Sequence, residues 1–218
     1  MNILSLNNVS YHYRDASSAA VSNVTCSFGQ GSLYAIVGPS GSGKTTLLSL
    51  LAGLDKPTSG EITFGGENLE DMDMDAYRRT GIAMIFQLFH LFPLLTVLEN
   101  VCYPMLLCGM RKTDAKPRAR DLLDSVGITL EQMKRFPSNL SGGEQQRVAI
   151  ARSLAGGAKV LLADEPTGNL DIANTGNIIG ILHRLAHEDG YCVIVVTHDL
   201  EVAETADVVF QMHDGSLT

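Results

Sequence analysis

The chain has 218 residues, enough for one large domain or two small ones. Apolar residues make up 45% of it, an ordinary globular share, and a formal charge of −8 at pH 7 disfavours non-specific nucleic-acid binding. The four cysteines, Cys26, Cys102, Cys108 and Cys192, are scattered with no C-x-x-C pair, so reduced and mostly buried thiols are expected rather than a metal site.

No secretory signal is expected, because Asn2 follows Met1 and no basic region precedes an apolar one. The longest apolar-rich stretch, Leu88 to Leu98, is too short to span a bilayer and carries His90 and Pro93. A role in a membrane process would therefore need a separate membrane partner.

In chain order, strands are predicted at Ile3–Val9, Val24–Phe28 and Leu33–Val37. Gly38-Pro39-Ser40-Gly41-Ser42-Gly43-Lys44-Thr45 follows and fits G-x-x-x-x-G-K-S/T without a mismatch. Its glycines let backbone amides face inward as a cradle for phosphates. Lys44 is suited to the β- and γ-phosphates, and the Thr45 hydroxyl to Mg²⁺. Thr45, Thr46 and the apolar residues to Ala52 predict a helix, with Gly53 as its stop. Strands are expected at Glu61–Phe64, before the Gly65-Gly66 turn, and at Ile82–Phe86.

Between about Leu94 and Leu154 the pattern turns helical. Ala115, Ala119, Leu122, Leu123 and Val126 recur at helical spacing, with Thr113 as the expected cap and Gly127 as the stop. Ser141 and Glu144 form an S-x-x-E capping box that should open another helix. Gly142 and Gly143 in its first turn cost helix stability by up to about 1 kcal/mol each. They permit close approach of another group, and the free amides there favour an anion.

Val160–Ala163 and Val193–Val196 are near-continuous apolar runs suited to parallel strands buried on both faces, with a helix over Ile178–Leu185 between them. Asp164 and Glu165 end the first run, where open α/β sheets bind ligands. Beside a P-loop, Asp164 is expected to hold Mg²⁺ through water, and Glu165 to orient or deprotonate an attacking water. A final strand is expected at Val208–Met212, before the Asp214-Gly215 turn. The sum is an α/β core with an antiparallel portion near the start and a helical insertion.

These motifs, in this order, resemble the nucleotide-binding domain of ATP-binding-cassette ATPases over the whole chain. Gly38–Thr45 matches Walker A, Leu140–Glu144 the signature, and Val160–Asp164 Walker B, with Glu165 at the catalytic-glutamate position. Gln87 matches the Q-loop, Asn169-Leu170-Asp171 the D-loop, and His198 the switch histidine. Tyr13 matches the aromatic that stacks on adenine, with Tyr11 close by as the alternative.

The resemblance implies a P-loop NTPase core with an antiparallel β subdomain and a helical signature subdomain, about residues 88–154, inserted into one ATPase domain spanning 1–218. It implies ATP and Mg²⁺ as cofactors, with Thr45, Gln87 and Asp164 at the metal. It implies a head-to-tail dimer in which ATP lies between one chain's Walker A and the other's Ser141, Gly142, Gly143 and Glu144. Glu165, His198, Gln87 and Lys44 are the catalytic set so implied.

Ala163–Asp171 and Phe86–Val101 resemble the lipoprotein-releasing, macrolide-export and antimicrobial-peptide-resistance branch, with a cell-division ATPase as a near relative. That implies a separate integral-membrane permease, a peripheral position on the cytoplasmic face of the membrane, and export or transmembrane mechanical work. Phe89, His90 and Leu91 are expected to help line the permease groove. Chromosome or repair ATPases would need long coiled coils, and translation-associated cassettes a basic RNA-facing surface, so no nucleic-acid partner is expected.

Overall fold

The computed structural model describes residues 2–14 and 18–218. The opening strands are β1 (Asn2–Tyr11), β2 (Val21–Gly29) and β3 (Ser32–Val37), and helix α1 (Lys44–Leu51) follows the third. Next come β4 (Ser59–Phe64), β5 (Glu67–Asn68), a short α2 (Met74–Ala76) and β6 (Ile82–Ile85). The helical insertion holds α3 (Val97–Leu107), α4 (Lys112–Ser125) and α5 (Gly142–Leu154). The chain then runs β7 (Val160–Asp164), α6 (Ile172–His187), β8 (Cys192–Thr197), α7 (Leu200–Glu204), β9 (Val208–His213) and β10 (Ser216–Leu217).

Two sheets organise these elements. One is antiparallel, in the order β2-β1-β4-β5; the other runs β10-β9-β3-β8-β7-β6 and is parallel except for the terminal hairpin strand β10. Alternation along β7 and β8 explains their unbroken apolar runs. Leu161, Ala163, Val193 and Val195 face a core shared with α3, α4, α5 and α6. Val160, Leu162, Ile194 and Val196 face the opposite core, shared with α1 and the antiparallel sheet. A strand covered on both faces has no polar alternation to show.

Helix boundaries follow from their end chemistry. The Leu54 and Gly53 amides return to Ser49 and Leu50, and the Ile128 and Gly127 amides to Leu123 and Asp124. Both patterns are Schellman closures, so Gly53 and Gly127 stop α1 and α4 as expected. The expected cap at Thr113 is corrected. Helix α4 starts two residues earlier, after an extended Arg111 with no side-chain cap, and the Thr113 hydroxyl donates instead to Asp114. Residue Phe86 lies beyond the end of β6, and no helix begins between it and Val97, so 86–96 is an irregular connection.

That connection is nevertheless held firmly. The buried Asn100 side chain accepts the Phe92 amide (2.8 Å) and donates to the Phe92, Leu95 and Thr96 carbonyls (3.0–3.1 Å). Arg152, on α5, donates to the carbonyls of His90 (2.5 Å) and Phe89 (3.1 Å) and lies over the Phe92 ring. These bonds replace the ladder that an irregular segment lacks.

Candidate nucleotide site

Strands β3, β8 and β7 lie side by side in register, with Val37 opposite Thr197 and Asp164 opposite Val196. Their C-terminal ends therefore bring the Gly38–Thr45 loop, Asp164-Glu165 and His198 to one edge of the sheet. A cleft of about 720 Å³ opens there. Tyr13, Ser40, Gly41, Gly43, Lys44, Thr45, Thr46, Gln87, Asp164, Glu165 and His198 all line it, and Ala20 and Val196 complete it.

The loop is built to leave donors free. Gly43 sits just before α1 at φ 106°, and no side chain caps the helix. A Cβ there would meet the Ala20 carbonyl oxygen at 2.1 Å, so only glycine fits the turn. The first α1 residues, Lys44, Thr45 and Thr46, line the cleft, where their amides have no intrahelical acceptor and lie at the positive end of the helix dipole. The Ser42 hydroxyl is buried beneath them and has no partner among the described residues. Lys44 is folded onto the loop, donating to the Gly38 (2.8 Å) and Pro39 (2.9 Å) carbonyls. An anion in the cleft offers the ammonium a stronger, charge-assisted acceptor.

The Asp164 carboxyl is held above the ordinary aspartate range by burial, then by the Glu165 charge; a Thr45 hydroxyl bond and Lys44 oppose this. Among the described residues, no group of three or more His, Cys, Asp or Glu side chains is arranged to hold a metal ion. A hydroxyl, one carboxylate and an amide nevertheless fit Mg²⁺, which prefers few protein oxygens and completes its shell with phosphates and water.

Glu165 adopts φ 47°, in the left-handed region that is costly for a side chain with a Cβ. Its amide donates to the Val196 carbonyl (2.9 Å), and its own carbonyl accepts the Gly168 amide (3.1 Å). The carboxylate is aimed from two sides. His198 Nδ1 lies 2.7 Å from Oε1, and the Thr197 hydroxyl donates to Oε2 at 3.2 Å. Thr197 was not singled out by sequence reasoning; the available signal was a hydroxyl residue closing the apolar run Val193–Val196, which the fold buries completely.

The two tyrosines separate clearly. Tyr13 lines the cleft, with its hydroxyl 3.0 Å from that of Thr46. Tyr11 packs edge-on against Tyr13, at 5.0 Å between centroids, and its hydroxyl points to Asp55. Gln87 reaches the cleft edge, and its carbonyl accepts from Asn169.

Ser141, Gly142, Gly143, Glu144 and Asp171 do not line this cleft. Ser141 and Glu144 form the full reciprocal capping box of α5. Asp171 caps α6, accepting the Asn174 amide at 2.8 Å. Of the three side chains expected to help line a groove, His90 is exposed, Phe89 is half-buried, and Leu91 is partly buried against the core; Leu88, Phe92 and Leu94 are exposed apolar side chains nearby.

The family model for ABC transporters matches residues 21–168, more than half of the chain. The chain is 38% identical to the ABC transporter ATP-binding protein YclH of Bacillus subtilis strain 168, over 100% of this chain and 96% of that protein. The dimeric structure of MJ0796, a bacterial ABC transporter cassette, is similar at 38% identity and TM-score 0.89, covering 99% of this chain and 96% of that one. The same cassette in a dimeric post-hydrolysis state bound to ADP and Pi has the same identity, coverage and TM-score. CbiO1 of Clostridium perfringens, part of the CbiONQ ABC transporter complex, has TM-score 0.91 and 29% identity, covering 100% of this chain and 87% of that one. With its cleft built on the phosphate loop and the Asp164-Glu165 strand end, the chain belongs to the ABC transporter ATP-binding family and is an ATP-binding cassette ATPase.

Proposed function

We propose that the chain is the ATP-hydrolysing subunit of a membrane transporter or transmembrane mechanical device, working as a head-to-tail pair. The observation that carries this reading is the separation of two faces. The cleft holds the phosphate loop and Glu165, whereas Ser141, Gly142 and Gly143 lie outside it. Each ATP would then be closed between the cleft of one copy and the α5 start of the other, and hydrolysis would release that bridge.

In the cleft, the free α1 amides and Lys44 bind the phosphates, and Tyr13 supplies the ring for adenine. Glu165 takes a proton from the attacking water, held in aim by His198 and Thr197. Thr45, Asp164 and Gln87 would hold Mg²⁺, which supplies charge neutralisation on the phosphates.

No helix among the described residues is long and apolar enough to cross a membrane. In this reading the permease is a separate chain, as the branch resemblance implies, with the ATPase peripheral at the cytoplasmic face. Exposed Leu88, Phe92 and Leu94, with Tyr103 and Leu107 on α3, offer its docking groove. The branch features of 163–171 and 86–101 favour export or mechanical work. Co-purification from the native host tests this: recovery with an integral-membrane protein is expected, and recovery only with DNA or ribosomes would contradict it.

A further inference from the structure

Two glycines open α5, and their surroundings differ. A Cβ on Gly142 would meet only ordinary contacts, with Leu170 and Phe89 carbons at 3.7 Å. A Cβ on Gly143 would fall 2.2 Å from Asn174 Oδ1, 2.4 Å from its Cγ and 3.0 Å from its Cβ. The obstacle lies within the same chain.

Asn174 cannot easily swing away. Its Nδ2 donates to both Asp171 carboxylate oxygens at 3.0 Å, while its amide donates to Asp171 Oδ1 at 2.8 Å. Asp171 in turn caps α6. The side chain is thus clamped between the 169–171 turn and the first turn of α5, with its oxygen against the Gly143 backbone. Bonds to a carboxylate are the stronger kind, so the clamp resists rotation.

We propose that Asn174 is a positioning residue for ATP hydrolysis, holding the Asp171 turn and the first turn of α5 as one surface, and that Gly143 is glycine to admit it. This rests on the head-to-tail reading, in which that surface faces the partner's nucleotide. Gly142 is then glycine for the nucleotide in the partner, and Gly143 for Asn174 in its own chain.

The test is a cycle of Gly143→Ala, Asn174→Ala and the double variant, with Asn174→Asp added. Turnover, fluorescent-ADP binding and thermal midpoint are measured on the full chain. Gly143→Ala is expected to lower turnover at least about tenfold and to lower the midpoint, whereas Asn174→Ala alone lowers turnover only about threefold. The double variant should recover most of the Gly143→Ala loss in both turnover and midpoint, stopping short of the Asn174→Ala level because the Cβ retained at position 174 still lies 3.0 Å away. Asn174→Asp keeps the shape but sets a like charge beside Asp171, so it should be slower than Asn174→Ala. ADP binding should stay unchanged throughout, because Asn174 lies outside the cleft.

Losses that simply multiply in the double variant would overturn the proposal. So would a recovered midpoint without recovered turnover, since the nucleotide would then be what requires Gly143. Wild-type turnover in both Asn174 variants would also overturn it. If Gly143→Ala does not fold, refolding in the double variant decides the steric claim, and its absence overturns it. The head-to-tail reading fails separately, if wild-type turnover per chain is independent of protein concentration. The melting cycle is read on the chain alone and does not depend on that result.

Discussion

Helices α1 and α5 both carry glycine at their starts, Gly43 just before α1 and Gly142 first in α5, yet their first turns are opposites. At α1, Gly43 provides no side-chain cap, and the neighbouring Ser42 hydroxyl is buried without a partner among the described residues. At α5, Ser141 and Glu144 close the turn on each other through a complete capping box. An open helix start is a standing demand for an anion, while a capped one is stable by itself and presents a finished surface. The nearby carboxylates differ in the same sense. Burial and Glu165 raise Asp164, whereas the Ser141 backbone bond lowers Glu144 against a smaller opposing effect of burial. One region is held in readiness for a ligand, and the other is already satisfied.

The largest expected effect lies at the open site. Glu165→Gln keeps the shape but removes the base, so turnover should fall by about 10²-fold or more while ATP binding persists. Undiminished hydrolysis would remove Glu165 from its role. Lys44→Ala removes one charged hydrogen-bonding group from the phosphates, of order 1.5–3 kcal/mol, or roughly 10- to 150-fold in ATP affinity. Equilibrium nucleotide binding checks this, and an unchanged affinity would show that the phosphates do not engage the loop.

At the closed site, the cap itself has a smaller expected effect in the single chain, and it falls on stability. Ser141→Ala loses a cap worth about 1 kcal/mol. A lower thermal midpoint with unchanged ADP binding would separate the two helix starts; weakened ADP binding would join them.

The pH dependence sharpens the same contrast. Asp164 is raised in the folded chain, so its stabilising contribution is present below the ordinary aspartate range and lost as pH rises through the higher folded value. Glu144 is lowered, so its contribution is present above the ordinary glutamate range and lost as pH falls through the folded value. Asp164→Asn should therefore raise the midpoint at neutral pH by a few degrees, and Glu144→Gln should lower it. Melts that move in the same direction would contradict the assignment.

Much of this was legible in the residues. The Gly38–Thr45 loop, the Ser141–Glu144 box and the apolar runs of β7 and β8 each carry their structure in local pattern, because turn chemistry and two-sided burial act over a few residues. The Tyr13 and Tyr11 alternative was not decidable that way, since only the fold shows which ring reaches the cleft. Thr113 misled for a related reason: α4 starts at Lys112 without a side-chain cap, so helix-cap chemistry did not mark its boundary. Arg152 and Asn174 were invisible because their partners, Phe89 and His90 in one case and Gly143 in the other, meet them only after the chain has folded.

The central claim is that the open cleft of one copy is completed by the capped α5 face of another. Sedimentation of Glu165→Gln with saturating ATP tests it most directly. A dimer is expected with ATP, a monomer with ADP, and loss of the dimer when Gly142→Ala is added without loss of ADP binding. A species that stays monomeric with ATP fully bound would contradict the account.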